Sequence, residues 1–429
     1  MAPSVEEWMA DDDLAVSIAR LRGDVEALGR IGRDEETGGV SRTSFSVADA
    51  AARRWLADRV EDAGLSWRQD GLGNVFIRVE PTDPAAAALP AVWSGSHIDS
   101  VPNGGRFDGA LGVLAALECA RCLSDHRDAL RRPVQVVVFT DEEGNYHHLF
   151  GSSALARGFD ADQLAGLRGR DGDRLVDTLA ATGWDLDAAT RTKVDPADVH
   201  AFLELHIEQG PRLEAQHIDI GVVTSIVGLG GGELTFHGRA DHAGTTPMGS
   251  RQDALRAAGA FLAGLADIAG GVSDTAVLTC GLLEVAPGAS NVVPGTAKLT
   301  LDFRDTERDR IEQLERAVVH AAERAAAAHG VTTSYVSDGT IDPVRLDDGL
   351  RDLIESMAVE RGYSTTHLPS GAGHDSQNMA TLATTAMIFV PSKGGHSHSP
   401  AEDTDWPDVE RGANVLLGVL ATVAFAPPA

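Results

Sequence analysis

Short apolar runs alternate with segments of helical periodicity over residues 1–220. The clearest run is VQVVVF at 134–139, which is almost entirely apolar, as in a strand buried on both faces. Ser46 and Asp49 form a capping-box-like pair ahead of a predicted helix at 50–64. Further strands are predicted at 73–79 and 91–99, and further helices at 13–31 and from about 109. The alternation predicts α/β architecture.

The pattern changes near Gly221. After a strand at 221–229, the elements follow the ferredoxin-like order of strand, helix, strand, strand, helix and strand. They are predicted at residues 232–240, 250–269, 275–285, 297–305, 307–330 and 331–336. The α/β pattern then resumes, with a helix at 347–362 and a strand at 384–391. We therefore predict an α/β domain of residues 1–220 and 338–429 that carries an inserted domain, 221–337.

The glycine-rich GLGGG around Gly230 needs a separate interpretation. No Gly-Lys-Ser/Thr follows it, so it does not fit a phosphate-binding loop. We expect it to form a bulge or a flexible turn.

Composition narrows the classes of partner. The 429 residues are 43% hydrophobic, and 36 basic against 64 acidic residues give a net charge of −28. This charge argues against nucleic acid or an anionic membrane as a partner.

Cys119 and Cys122 form a C-x-x-C inside an apolar helical run, which favours a buried structural role over a redox role. The apolar run 413–426 is too short to span a bilayer and is expected to form a core helix. With no signal peptide evident at the start, we expect a reduced, cytoplasmic protein.

Three consecutive acids, Asp141, Glu142 and Glu143, follow the Val-rich strand. Their carboxylates repel one another and are costly to desolvate, so a metal ion would stabilise them there. Metal-type side chains also follow apolar runs in three other segments: His97, Asp99 and Asp108; His206 and Glu208; His396 and His398. Any one segment has an ordinary explanation, but four indicate one site, because ligands gather at the carboxyl ends of strands. Imidazole and carboxylate suit Zn²⁺, with Mn²⁺ or Co²⁺ as substitutes.

These segments resemble the hydantoinase/carbamoylase family of binuclear metal amidohydrolases, which includes N-carbamoyl-L-amino acid hydrolases, allantoate amidohydrolases and β-ureidopropionases. HIEQGPRLE, HAGTTPM, SGAGHDSQNMA and MIFVPSKGGHSHSPAEDT occur in family order, and the similarity covers nearly the whole chain. The resemblance implies a zinc-exopeptidase-like α/β catalytic domain with an inserted ferredoxin-like α+β domain for dimerisation and lid closure. It also implies a homodimer with two divalent ions per chain, Zn²⁺, Mn²⁺ or Co²⁺.

The resemblance assigns five metal ligands by motif position. His97 and His206 would bind the first ion, and Glu143 and His398 the second. Asp108 would bridge the pair, since one carboxylate can hold two metals that activate a water between them.

Neighbouring positions receive other roles from the same resemblance. Glu142 would be the general base and acid, because one carboxylate of an adjacent pair can ligate while the other takes a proton from water. Asp99 would orient the imidazole of His97. His396 is not at a ligand position and is expected in the pocket or on the surface.

The substrate-binding candidates lie partly on the insert. His242 of HAGTTPM would polarise the scissile carbonyl or stabilise its oxyanion. Arg304 suits bidentate binding of a substrate carboxylate, although by itself it would be interpreted as a surface salt bridge. Gln209 would contact the amide or ureido group. The remaining candidates are Asn291, the backbone at Gly373 and the side chain of His374.

One loop departs from the family pattern. Family members usually carry an Arg-Phe and a longer loop after the Glu-Glu-Gly, whereas this chain has NYHHLF, Asn145–Phe150. The departure leaves the ligand positions intact but bears on substrate identity.

We expect hydrolysis of a linear C–N bond in an N-carbamoyl amino acid or a related carboxylate-bearing ureido or amide compound, with CO₂ and ammonia released from carbamoyl substrates. An aminoacylase- or dipeptidase-like hydrolase is the alternative. His206 disfavours it, because the peptidase branches tend to use a carboxylate at that position. A non-catalytic binding protein is disfavoured by the retention of Glu142 and all five ligand positions.

Overall fold

The computed structural model describes residues 14–182 and 185–427. The chain divides into a large unit, Met1–Thr224 with Leu346–Ala429, and an inserted unit, Ser225–Arg345. The expected start of the first helix at residue 13 lies outside the described residues. Each unit has its own sheet and its own buried core.

Fifteen strands are numbered along the described residues. They are β1 Ser66–Gln69, β2 Val75–Val79, β3 Ala91–His97, β4 Val134–Phe139, β5 Val199–Ile207, β6 Ile220–Ile226, β7 Gly228–His237, β8 Asp241–His242, β9 Val277–Ala286, β10 Val292–Val293, β11 Thr296–Asp305, β12 Thr332–Ile341, β13 Val344–Arg345, β14 Thr365–Ser370 and β15 Thr384–Val390.

The α-helices are numbered in the same way, and short 3₁₀ turns are left without labels. They are α1 Ile18–Leu28, α2 Val47–Asp62, α3 Pro84–Ala87, α4 Ala110–Ser124, α5 Phe150–Ala156, α6 Ala161–Gly166, α7 Leu175–Thr182, α8 Leu186–Ala189, α9 Arg212–Gln216, α10 Ala254–Leu262, α11 Leu265–Gly270, α12 Arg308–Ala328, α13 Asp348–Glu360, α14 Ser376–Met379 and α15 Trp406–Phe425. The predicted cap of α2 is present, since Ser46 accepts the N–H of Asp49 at 3.1 Å.

The large unit is built on a nine-stranded sheet in the order β1-β2-β4-β3-β5-β15-β6-β13, with β14 beside β6. Strands β4, β3, β5 and β15 are parallel, so their carboxyl ends lie at one edge. Every residue of β3 and of β4 is buried. The apolar run that predicted β4 thus reflects packing on both faces of the sheet.

Helices α1, α4, α13 and α15 contribute to the main core of the large unit. The predicted core helix is confirmed as α15, whose apolar half is buried. Cys119 is buried in α4 and Cys122 is half-buried, and both thiols are free. Burial raises the pKa of the Cys119 thiol, as expected of a structural rather than a redox cysteine. Among the described residues, no helix combines the length and apolarity needed to cross a membrane.

The inserted unit has a four-stranded antiparallel sheet in the order β12-β7-β11-β9. Helices α10, α11 and α12 connect its strands, so the element order is that of a ferredoxin-like fold. The single helix predicted at 250–269 is wrong in extent. The structure has two helices, Ala254–Leu262 and Leu265–Gly270, with non-helical backbone at Gly264 between them.

The expectation of a bulge or turn at the glycine run is also wrong. Gly230 lies in the middle of β7, which pairs with β11 throughout its length. Close packing explains the glycine, because a Cβ there would lie 2.3 Å from the ring of Phe303. The register irregularity lies in the partner strand, between Ser337 and Thr340 of β12.

Candidate metal centre

The parallel strands bring the metal-type side chains to one edge of the large-unit sheet. His97 ends β3, and His206 lies one residue before the end of β5. Asp108 lies just before α4, and Gly109 between them has a φ of 63°. A Cβ on Gly109 would lie 2.3 Å from Nε2 of His97, so both the positive φ and the close approach require glycine there. His398 lies in the loop after β15.

The carboxylate of Asp108 is the centre of the cluster. Its Oδ1 is 3.2 Å from Nε2 of His206 and 3.8 Å from Nε2 of His97. Its Oδ2 is 3.2 Å from Nε2 of His398, which in turn is 3.5 Å from Glu143 Oε2. The five side chains form two groups, His97–Asp108–His206 and Asp108–Glu143–His398, with ligand atoms within 4.8 Å of one another in each. The structure therefore brings together all five predicted ligand positions.

The first-group imidazoles are oriented by main-chain carbonyls. His97 Nδ1 is 3.1 Å from the carbonyl oxygen of Asp99, and His206 Nδ1 is 2.8 Å from that of Ile207. A carbonyl oxygen only accepts, so both Nδ1 atoms carry a hydrogen. In the neutral tautomer, Nε2 therefore offers its lone pair toward Asp108, which is the form that a metal binds.

The pKa values reflect this crowding of charge. Burial lowers the pKa of His97 to about 4. Burial also lowers the pKa of His206, but contact with Asp108 outweighs it and raises the value to about 9. The hydrogen bond to Asp108 raises the pKa of His398 to about 9. Burial, followed by the charge of Asp108, raises the pKa of Glu143 to about 8. Without an ion the cluster thus holds protons that a divalent cation would displace.

The three consecutive acids are separated by the backbone. Asp141 has a φ of 57°, and its carboxylate accepts the N–H groups of Asn145 at 2.7 Å, Tyr146 at 2.8 Å and His147 at 3.1 Å. It is therefore turned into its own loop and does not contribute to either ligand group. Of the three consecutive acids, only Glu142 and Glu143 therefore approach the histidines, so three carboxylates do not meet at the site.

Glu142 is buried, with 5% of its surface exposed, and belongs to neither ligand group. Its Oε2 is 3.5 Å from Nε2 of His97. Burial and then the charge of Glu143 raise its pKa well above the ordinary value. A carboxylate with a raised pKa beside a metal site is suited to take up and return a proton.

The donor set fits divalent metal ions. Glu143 Oε1 is buried and has no hydrogen-bond partner among the described residues, as expected of an atom whose partner is a cation. A third group, Glu204–His206–His374, also has suitable spacing. However, Glu204 already accepts hydrogen bonds from Ser96 at 2.7 Å and from the Ser376 hydroxyl at 2.6 Å. The two groups around Asp108 are therefore the better fit.

The predicted pocket residues of the large unit lie beside this cluster. Gln209 Nε2 donates to Asp108 Oδ2 at 2.8 Å, while its Oε1 is buried without a partner among the described residues. His374 is buried, and its ring meets His206 edge-on with centroids 4.6 Å apart. Its Nε2 is 2.7 Å from the hydroxyl of Ser370. Next to it, Gly373 is so close to His148 that a Cβ would lie 2.8 Å from Nε2.

His242, Asn291 and Arg304 lie on the inserted unit. His242 belongs to β8, and its Nδ1 accepts the N–H of Gly244 at 3.0 Å. The neutral ring therefore carries its hydrogen on Nε2, as an oxyanion donor requires. The carbonyl of Asn291 accepts the N–H of Ala243 at 2.9 Å, so these two candidates are neighbours.

Arg304 is engaged within its own strand. Its Nε and Nη2 donate to the carboxylate of Asp302 at 2.9 and 3.2 Å. This is the salt bridge that its sequence context alone would suggest. A substrate carboxylate at Arg304 would share the guanidinium with Asp302 or displace it.

Sequence reasoning missed a buried acid that supports the centre. Glu402 Oε1 accepts the N–H groups of Phe107 at 2.8 Å and Asp108 at 3.1 Å, and its Oε2 accepts the hydroxyl of Ser397 at 3.0 Å. Ser397 also reaches Asp108 Oδ2 at 3.0 Å. Both residues lie in the SHSPAEDT motif, in which the sequence analysis singled out only His398.

The structure shows the surroundings of the three remaining residues that the sequence analysis named beside the ligands. The carboxylate of Asp99 accepts the N–H of Glu143 at 3.2 Å and lies 3.6 Å from His97 Nδ1, whereas the hydrogen bond to that imidazole comes from the main-chain carbonyl of Asp99 rather than from the expected carboxylate. Glu208 accepts the N–H groups of Arg212 and Leu213 at 2.9 and 2.8 Å, which makes it a helix cap. His396 is exposed and belongs to no ligand group of the described residues, in line with its expected surface role.

Comparison with known proteins places this geometry in context. Residues 93–422 match the peptidase family M20/M25/M40. The chain is 40% identical over 408 residues to an N-carbamoyl-L-amino-acid amidohydrolase of Paenarthrobacter aurescens, with 94% of this chain and 97% of that protein covered. It is 33% identical over 406 residues to an allantoate amidohydrolase of Bacillus subtilis, covering 94% and 96%. A hydantoinase/carbamoylase-family amidase structure from Burkholderia multivorans matches with a TM-score of 0.87 and 35% identity, covering 97% of this chain and 100% of that one.

Proposed function

Because this chain belongs to peptidase family M20/M25/M40, in its hydantoinase/carbamoylase branch, we propose that it is a dimetal amidohydrolase of N-carbamoyl amino acids or related ureido acids. The observation that carries the proposal is the position of Asp108 between two ligand groups that share only that carboxylate. One carboxylate shared by two trios of side chains is an arrangement that suits a pair of divalent ions.

The first ion would be held by His97 and His206, and the second by Glu143 and His398, with Asp108 common to both. Zn²⁺, Mn²⁺ and Co²⁺ all suit this mixture of imidazole and carboxylate. When bound, such ions supply Lewis acidity to the scissile carbonyl and to a water.

The chain's own groups perform the proton transfers. Glu142 accepts a proton from the attacking water and returns it to the leaving nitrogen, which its raised pKa favours. His242, with its hydrogen on Nε2, donates to the oxyanion that develops on the carbonyl. Gln209 would contact the amide or ureido group, and Arg304 of the inserted unit would contact the carboxylate. The other candidates for substrate contact are Gly373 and His374 of the large unit and Asn291 of the inserted unit.

Relatives of similar identity carry names with different ureido substrates, so the substrate is proposed as a class. An N-carbamoyl amino acid would yield the free amino acid, CO₂ and ammonia. The aminoacylase-like alternative would release an acid and no ammonia from an N-acyl amino acid. His206 favours the carbamoyl side, since its imidazole occupies the place of the peptidase carboxylate.

We further propose a homodimer in which the inserted unit serves for dimerisation and as a lid. An antiparallel sheet leaves edge strands, here β12 and β9, that association can cover. β9 exposes Val277 and Leu282, each 51% exposed, which fits a surface that is covered in an assembly.

The test is a hydrolysis screen over N-carbamoyl, N-formyl and N-acetyl amino acids and other ureido acids, in which both released ammonia and the freed amino acid are measured, with protein reconstituted with Mn²⁺, Zn²⁺ or Co²⁺. The proposal predicts ammonia from one or more ureido acids and loss of turnover after chelation. Hydrolysis confined to N-acyl substrates would support the aminoacylase-like alternative. No turnover of any member, with two ions bound, would support a binding protein.

A further inference from the structure

The main-chain carbonyl groups of the adjacent glutamates are held by side chains from two different segments. The carbonyl oxygen of Glu142 accepts His148 Nδ1 at 2.9 Å as well as the N–H of Leu149 at 2.9 Å. The carbonyl oxygen of Glu143 accepts Arg170 Nη2 at 2.7 Å. The general base and the second-ion ligand of the proposed mechanism are thus each held at their own main-chain carbonyl oxygen.

Residues 140–149, between β4 and α5, are called the glutamate loop. Arg170 lies on a turn that forms several hydrogen bonds with this loop. Its Nε lies 3.4 Å from the carbonyl oxygen of Gly144, and its N–H lies 3.4 Å from Asn145 Oδ1. On the same turn, Asp173 accepts the hydroxyl of Tyr146. Tyr146 is buried, so this contact holds the middle of the loop that runs from the glutamates to α5.

His148 belongs to the same loop as the glutamates and contacts Glu142 from six residues further along the chain. A carbonyl oxygen only accepts, so Nδ1 of His148 carries a hydrogen and donates it to Glu142. The opposite edge of the ring lies along Gly373, where a Cβ would be 2.8 Å from Nε2. His148 therefore lies between the backbone of Glu142 and the backbone of Gly373, and a displaced ring would remove the hydrogen bond to the carbonyl oxygen of Glu142.

We propose that Arg170 and His148 are positioning residues of the dimetal site, where Arg170 orients Glu143 toward the second ion and His148 orients Glu142 toward the reacting water. The inference rests on the proposed function for these roles. His148 lies in the NYHHLF loop, which is the segment where this chain departs from the family pattern. Hydrogen-bond partners of ligating side chains typically contribute 10- to 100-fold to metal affinity or activity, and we expect an effect at the lower end of that range where the partner holds the backbone instead.

The turn offers a matched control for Arg170. The guanidinium of Arg168 donates to the carbonyl groups of Ala165, Gly166 and Leu167 at 3.0 to 3.2 Å, which all lie outside the glutamate loop. Arg170→Met and Arg168→Met remove the same charge from the same turn. Only the first removes a contact with a proposed ligand.

Metal binding is measured by competition of Mn²⁺ or Zn²⁺ with a chromophoric chelator. We expect Arg170→Met to weaken one of the two ion equivalents by about tenfold and to leave the other unchanged. Arg168→Met should match the wild-type protein, and Arg170→Lys should be intermediate because it keeps one donor. The inference is overturned if Arg170→Met binds both ions as wild type does, or if the two methionine variants weaken binding equally.

For His148, the informative pair is His148→Asn and His148→Leu. The asparagine side chain places an N–H near the position of Nδ1, whereas leucine fills space without a donor. We expect His148→Leu to lower kcat by about tenfold or more with KM and both ion equivalents kept, and His148→Asn to recover most of kcat. Equal kcat in the two variants would overturn the role of His148.

Measurements on the wild-type protein distinguish a failure of this inference from a failure of the proposed function. If wild-type protein binds two ions but hydrolyses no ureido acid, the proposed function fails, while the chelator titration still decides the role of Arg170. If the wild-type protein is active and the variants behave like their controls, the inference fails and the function stands.

Discussion

Glu142 and Glu143 are adjacent in the chain, but their carboxylates meet different partners. Glu143 is 3.5 Å from His398, whereas Glu142 is 3.5 Å from His97 and outside both ligand groups. The proposed division into ligand and base rests on the different directions of these two side chains.

The role of Glu142 is tested by Glu142→Gln, which keeps size and removes the base. We expect turnover to fall roughly 10²- to 10⁴-fold, because general acid–base groups contribute about that much. Metal content, measured by elemental analysis, should stay at two ions per chain. Glu208→Gln is the control, since Glu208 caps α9 and should leave turnover within a few-fold. Loss of an ion in Glu142→Gln would show that Glu142 is a ligand.

Among the secondary-structure elements, the positions of the proposed ligands could be predicted from the sequence better than their surroundings. Parallel strands with buried faces are recognisable from uninterrupted apolar residues, so His97 and His206 could be placed at strand ends. The zinc-exopeptidase-like fold with a ferredoxin-like insert, implied by resemblance, is confirmed. The removal of Asp141 from the site could not be predicted, because it depends on a φ of 57° in an aspartate.

Close packing between elements was also not predictable. The contact between Gly230 and Phe303 joins residues far apart in sequence, so local composition suggested a bulge that is absent there. Glu402 was missed for the same reason, since its partners Phe107 and Asp108 are nearly 300 residues away.

Two helical glycines should respond in opposite directions to the same substitution. In α4, a Cβ on Gly112 would lie 2.4 Å from the carbonyl oxygen of Leu205, so Gly112→Ala should destabilise the protein by about 1–3 kcal/mol. In α1, Gly23 has nothing within 4 Å of the added Cβ, so Gly23→Ala should stabilise by about 0.5–1 kcal/mol. Chemical denaturation measures both free energies. Equal signs would contradict the packing described for α4 against β5.

At the scale of the whole molecule, metal should stabilise the fold more strongly as pH rises. In the ion-free protein, the pKa of His398 is raised from 6.5 to about 9. Its stabilising contribution is therefore full below pH 6.5 and is lost as pH rises through about 9. Bound ions need Nε2 of His398 and the carboxylate of Glu143 deprotonated, so loading is favoured over that range. We expect the Tm difference between loaded and chelated protein to grow from pH 6.5 to 9. A constant difference would contradict this linkage.

The dimer proposal predicts complementation between two inactive variants, Glu142→Gln and His242→Ala. If His242 acts in the partner's site, a heterodimer regains one site with both wild-type groups. A fully exchanged 1:1 mixture should then recover on the order of one quarter of wild-type activity, by statistical pairing in a two-fold dimer. Sedimentation and mixed-tag pull-down establish exchange. No recovery despite exchange would mean that His242 acts within its own chain or not at all.

Anomalous diffraction from Mn²⁺-loaded crystals tests whether Asp108 lies between two metal ions. We expect two anomalous peaks per chain on either side of the Asp108 carboxylate, one beside His97 and His206 and the other beside Glu143 and His398. A single peak, or a peak among Glu204, His206 and His374 in place of one of these, would contradict this expectation.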